Sequence, residues 1–142
     1  MYDIIIIGAG TAGISAYKEA IKTTQNILVV HDGPWDTTCA RVGCMPSKVL
    51  ISSANLAYNA RTSEQLGLKI SSQIDTTDVM QHVQQLRDRF TKATLKDVNS
   101  WPTAHKISGR ATFVNANTIN VNNKKYQAKS FIIAVGSRPT VN

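Results

Sequence analysis

The sequence predicts a doubly wound α/β fold, a parallel sheet carrying an inserted helical hairpin and a small antiparallel β-meander. Three observations carry this. Asp3 to Ile7 is an unbroken, largely β-branched apolar run, and Gly8-Ala9-Gly10-Thr11-Ala12-Gly13 follows it directly. From His105 onward the hydrophobic pattern changes from helical spacing to alternation.

The run from Asp3 to Ile7 is too short to span a membrane and reads as a central parallel strand covered on both faces. Ile14 to Lys22 then reads as a helix, with Ile14, Tyr17 and Ile21 on one face. Asn26 to Val30 is a second apolar strand, which completes a strand-helix-strand unit. Turn residues fill 31–38. Cys39 to Lys48 leads into a helix reaching about Asn59. A second long helix starts near Asp75-Thr76-Thr77, which offers N-caps, and runs to about Asn99. Val79, Val83, Leu86 and Phe90 give it one apolar stripe. These two helices form the expected hairpin. Ile107 to Val114, Thr118 to Val121 and Lys125 to Ala128 read as short antiparallel strands joined by Asn-rich turns. Ser130 to Val135 is apolar again, and Gly136-Ser137-Arg138-Pro139 stops it.

A length of 142 residues fits one domain. With 42% hydrophobic residues the chain can bury a sizeable core, although a dinucleotide enzyme normally needs more chain. The net charge of +7 is spread over helices and turns, without a Lys/Arg cluster interleaved with aromatics. That argues against nucleic acid and for anionic ligands or an acidic neighbouring domain. Met1-Tyr2 runs straight into the first strand, with no basic leader and no small-residue cleavage site, so a cytoplasmic protein is expected. Two cysteines in such a chain suit catalysis or metal binding better than a structural staple.

The glycine run has the context a dinucleotide fingerprint requires, after a strand and at the start of a helix, as in a Rossmann-like fold. Gly8 permits the tight turn, Gly10 lets the backbone approach a pyrophosphate, and Gly13 lets helix and strand pack closely. The helix start offers unpaired N–H groups and a positive dipole end to phosphates. An acidic side chain should end the second strand and bond the ribose hydroxyls. His31 stands there, with Asp32 next. Either meets the ribose, or both are ordinary loop residues.

The second motif is Cys39-Ala40-Arg41-Val42-Gly43-Cys44-Met45-Pro46-Ser47-Lys48. In an unbroken helix, residues five apart lie roughly 8–9 Å apart at Cα. A disulfide needs about 4.4–6.8 Å. A regular helix therefore cannot hold this bond, but Gly43 gives the chain freedom to distort. Pro46 suits the first turn of the next helix. Cys44 then sits near a helix start with Lys48 one turn on, and both favour a thiolate. Inert buried thiols are one alternative. Half a zinc site is another, but His31, His82 and His105 are scattered without ligand spacing, so no metal is expected.

With these motifs the sequence resembles the class I pyridine nucleotide–disulfide oxidoreductases, and within them the dihydrolipoamide dehydrogenases. The resemblance rests on the glycine run, on Thr38 to Lys48, on Gly109-Arg110-Ala111-Thr112-Phe113, and on Ala134-Val135-Gly136-Ser137-Arg138-Pro139. It implies a bound FAD and NAD or NADP as co-substrate. Gly10 and its neighbours would contact the pyrophosphate, with help from Thr38. Lys48 would lie against the flavin, the Ala111 backbone would face the adenine, and Gly136 with its neighbours would close over the flavin side. Cys44 would be the flavin-side thiol and Cys39 the interchange thiol of a redox disulfide. The substrate would be a small dithiol or disulfide, or a lipoyl domain, and the full-length enzyme a homodimer. Residues 1–142 would be the N-terminal segment of the FAD domain, lacking nicotinamide and dimerisation domains and inactive alone.

Ser47 resembles lipoamide and mercuric enzymes, since glutathione reductases usually carry Lys there. His31 for the usual Glu, Asp36 near the usual Gly-Gly, and Val135 for the usual Thr depart from the pattern.

Overall fold

A run of four isoleucines with no polar alternation needs cover on both faces, and the chain provides it. In the computed structural model, which describes residues 1–138, 140 and 141, this run lies in β1 (Tyr2–Ile7). It pairs in parallel with β2 (Ile27–His31) on one side and β6 (Lys124–Ile133) on the other. Alternate side chains then enter two separate clusters. Ile6, with Ile27 and Val29, packs against Ile14, Tyr17 and Ala20 of α1 (Thr11–Ala20) and against Val98 and Trp101. Ile5, with Leu28 and Val30, packs against Ile119, Val121 and Ala128. Ile5 and Ile6 are both fully buried, at about 1.5–3 kcal/mol for each such side chain.

The chain divides into two compact units, 1–37 with 94–142, and 38–93. The first holds a sheet of strand order β3-β2-β1-β6-β5-β4. Here β3 is Lys106–Ser108, β4 is Thr112–Asn115 and β5 is Thr118–Val121. The mixed α/β architecture agrees with the expectation, but two strand assignments need correction.

Ile107 to Val114 is not one antiparallel strand. Gly109, at φ +153°, breaks it, and a Cβ there would come within 2.6 Å of Asn122 Oδ1. The first piece, β3, pairs in parallel with β2, while β4 pairs antiparallel with β5. Conversely, Lys125 to Ala128 and Ser130 to Val135 are not separate. They form the ten-residue β6, which runs antiparallel to β5 at its start and parallel to β1 at its end. The intervening Lys129 does not break the strand. Its ammonium pairs with Asp3 at 2.6 Å. β6 stops at Ile133, two residues short of Val135, and Pro139 of the expected stop lies outside the described residues.

The second unit is helical. It contains α2 (Thr38–Arg41), α3 (Cys44–Thr62) and most of α4 (Thr76–Asn99). Asp75 caps α4, its Oδ1 accepting the N–H of Thr77 at 2.8 Å and of Asp78 at 3.2 Å. The apolar stripe of α4 is turned inward, with Val83 buried and Val79, Leu86 and Phe90 half-buried. No described helix is long and apolar enough to cross a membrane.

Candidate functional site

The glycine loop divides its glycines by role. Gly8 takes φ +107°, and a Cβ on it would sit 2.2 Å from Ala134 O. A Cβ on Gly13 would sit 1.9 Å from Gly8 O, so helix and strand approach closely there. Gly10 is different. It is the N-cap of α1 in ordinary extended backbone, at φ −74°, and a Cβ would meet no atom within 4 Å. Neither backbone conformation nor protein packing demands a glycine at Gly10. The space beside it is open.

The adjoining helix start fits a phosphate. The first helical bond runs from Ile14 N to Gly10 O at 2.9 Å. The N–H groups of Thr11, Ala12 and Gly13 precede it and have no partner within the helix. No side chain caps this end and no acidic residue lies in its first turn. Partial positive charge therefore stays available to an anion.

His31 ends β2, as expected, beside this loop. Its ring is bonded on both edges. Ala9 donates its N–H to Nδ1 at 3.1 Å, and Nε2 lies 2.9 Å from Pro34 O. Trp35 stands edge-to-face with the ring at 5.2 Å. Asp32 is exposed.

Ala134 N donates to Ile7 O at the end of β1 at 2.8 Å, which brings the Ala134 carbonyl against Gly8. Val135, Gly136 and Ser137 continue past the strand end as exposed chain. Ala111 is half-buried against the cluster of Ile5, Val30 and Val121, between the Gly109 break and β4.

In the helical unit the chain does distort between the cysteines. Thr38 and Cys39 lie in the single turn of α2, and Cys44 opens α3. Gly43 separates the two helices at φ −120°, ψ −119°. A Cβ there would press to 3.1 Å from Thr38 O. Pro46 falls in the first turn of α3, where its missing N–H costs nothing. Both cysteines are free thiols, Cys39 half-buried and Cys44 exposed. Cys39 is pushed above the ordinary thiol range, first by its hydrogen bond to Cys44, then by burial and by the charge of Cys44. Lys48 is exposed, one turn along α3 from Cys44.

Upstream, Thr37 adopts φ +62°, a left-handed conformation costly for a β-branched residue. No local pattern in the sequence marks this strain, although Asp36, one residue before it, stands near the position of the family's usual Gly-Gly. A concavity of about 1060 Å³ in the helical unit is lined by residues such as Leu50, Tyr58, Ile70 and Met80 and includes neither cysteine. Among the described residues no three His, Cys, Asp or Glu side chains gather as a metal set.

Comparison with known proteins agrees with this geometry. A family model described as pyridine nucleotide-disulphide oxidoreductase matches residues 2–142. The chain is 30% identical over 141 residues to a mercuric reductase of Lysinibacillus sphaericus, covering 99% of this chain and 26% of the relative. It is 32% identical over 140 residues to a dihydrolipoyl dehydrogenase of Mycoplasma genitalium, covering 97% and 30%. The HOCl-induced flavoprotein disulfide reductase RclA from Escherichia coli shares the fold, with a TM-score of 0.75 at 20% identity over 99% of this chain and 29% of that one. The chain therefore spans under a third of the length of these relatives.

Proposed function

The chain belongs to the pyridine nucleotide-disulphide oxidoreductase family, and on that premise we propose that it is the FAD-binding, redox-disulfide part of a dihydrolipoyl dehydrogenase-like enzyme. The observation that carries the reading is the pairing of two features. Gly10 leaves an open cradle at a helix start, and two free thiols, Cys39 and Cys44, lie on either side of the helix break at Gly43.

Bound FAD supplies a two-electron carrier between a dithiol and NAD or NADP. Gly10, Thr11, Ala12 and Gly13 would offer backbone N–H groups to its pyrophosphate. Both nitrogens of His31 are engaged within the protein, so the exposed carboxylate of Asp32 is assigned to the ribose hydroxyls. The Ala111 backbone is assigned to the adenine. The segment Ala134, Val135, Gly136 and Ser137 is assigned to the flavin end.

In the working cycle Cys39 and Cys44 form a disulfide. A substrate thiolate attacks the Cys39 sulfur, the Cys39–Cys44 bond breaks, and a mixed disulfide forms. The second substrate thiol then displaces Cys39. Substrate leaves as a disulfide, and the pair holds two electrons, with the proton on Cys39 and the charge on Cys44. The substrate is a small dithiol such as dihydrolipoamide or a lipoyl domain, and the full-length protein is a cytoplasmic homodimer. Mercuric ion is the second candidate substrate, favoured by the mercuric reductase relative.

The test uses the protein at its natural length. The two-electron-reduced form should carry a long-wavelength charge-transfer band. Cys39→Ser should keep the band, Cys44→Ser should lose it, and both should lose turnover. Full turnover in either variant would refute the reading. Parallel assays with lipoamide, glutathione and mercuric ion then identify the substrate.

A further inference from the structure

His31 occupies the strand-end position beside the glycine loop, yet both its nitrogens are spent on the protein's own backbone. The partners fix its state. A backbone N–H only donates and a backbone carbonyl only accepts. Nδ1 therefore carries the lone pair that meets Ala9 N–H, and Nε2 carries the proton given to Pro34 O. The ring is neutral, with one tautomer. Protonation would place an N–H on Nδ1 against the N–H of Ala9, two donors face to face.

The consequence falls on the loop. Ala9 lies between Gly8 and Gly10 and is fully buried. Its N–H, once released by His31, would be left without an acceptor in the protein interior. We propose that His31 is a positioning residue for the dinucleotide loop, holding Ala9 only while its imidazole is neutral, so that nucleotide affinity falls as His31 takes up a proton. This rests on the dinucleotide reading above.

The sign follows from linkage. The locked loop requires neutral His31, and nucleotide binding favours the locked loop. Affinity is then full above the titration of His31 and is lost below it. The charged groups on the elements around the ring are Asp32 and Asp36 in its own loop, and Lys106 and Arg110 on β3 and just beyond it. Lys106 is turned to Val98 O at 2.8 Å. A bound pyrophosphate would also attract an imidazolium, so direct phosphate binding by His31 would reverse the trend.

The experiment pairs two readouts on this chain. Nitrogen-15 NMR follows the His31 ring and the Ala9 amide through a pH titration, and FAD affinity is measured near pH 8 and pH 5. The expected results are an Nε2–H tautomer, an Ala9 amide shift that tracks His31, and an affinity roughly tenfold weaker at the lower pH, as for one lost hydrogen bond. His31→Asn, whose side-chain oxygen can accept from Ala9 without titrating, should bind FAD with little pH dependence. His31→Leu should bind weakly at both values. An Ala9 amide that ignores His31, an equal pH loss in His31→Asn, or tighter binding at low pH overturns the inference. If FAD fails to bind at every pH while the amide still tracks His31, the dinucleotide reading fails and takes the affinity claim with it, leaving a purely structural lock.

Discussion

A thiol that donates to a neighbouring sulfur gives up its proton late. Cys39 is in that position, so at a given pH it should hold less thiolate than an ordinary cysteine. Near pH 8, iodoacetamide should therefore modify exposed Cys44 before Cys39, as read by peptide mass spectrometry. The rate at Cys39 should keep rising at higher pH, above the usual thiol range. Cys44→Ala removes the largest cause of the shift, so Cys39 should then react faster at the same pH. A slower Cys39 in that variant would show that burial, not its partner, governs the thiol. Gly13 gives a second residue-scale expectation. A Cβ there meets backbone at 1.9 Å, so Gly13→Ala should destabilise the chain by about 1–3 kcal/mol in urea unfolding. An unchanged midpoint would contradict the close approach of α1 to the loop.

Among the elements, the hairpin between β5 and β6 depends on two consecutive left-handed residues, Asn122 at φ +51° and Asn123 at φ +63°. That geometry suits Asn and Gly and penalises β-branched residues. Asn123→Val should cost roughly 1–2 kcal/mol by denaturant midpoint, while Asn123→Gly should cost nothing. Equal stabilities would refute the turn assignment. These Asn-rich turns were legible from sequence, as were β1, both long helices and the cap at Asp75, because each is a local pattern. The switch of β6 from β5 to β1 was not. Lys129 breaks the apolar run locally, while in the fold its largely exposed side chain pairs with Asp3, distant in sequence. The parallel partner of β3 was hidden for the same reason, since register between strands far apart in sequence leaves no local mark. At the site, the roles of Gly8 and Gly13 and the break at Gly43 were readable. The double bonding of His31 and the strain at Thr37 were not, because both arise from how loops close on one another.

At the scale of the whole molecule, the chain holds a sheet unit and a helical unit and spans under a third of its relatives' length. By itself it should show no lipoamide-dependent NADH formation, since it matches only this part of enzymes that are several times longer. Robust turnover by these 142 residues would overturn that expectation. The claim beneath all the others is that the loop between β1 and α1 is a dinucleotide cradle. It is tested most directly by the FAD affinity of Gly10→Ala against the unmodified chain. The added methyl enters space empty of protein and should change stability by less than about 1 kcal/mol. It should nonetheless weaken FAD binding by about tenfold or more, because the methyl takes the place of the pyrophosphate. Undiminished FAD affinity in Gly10→Ala would contradict the account.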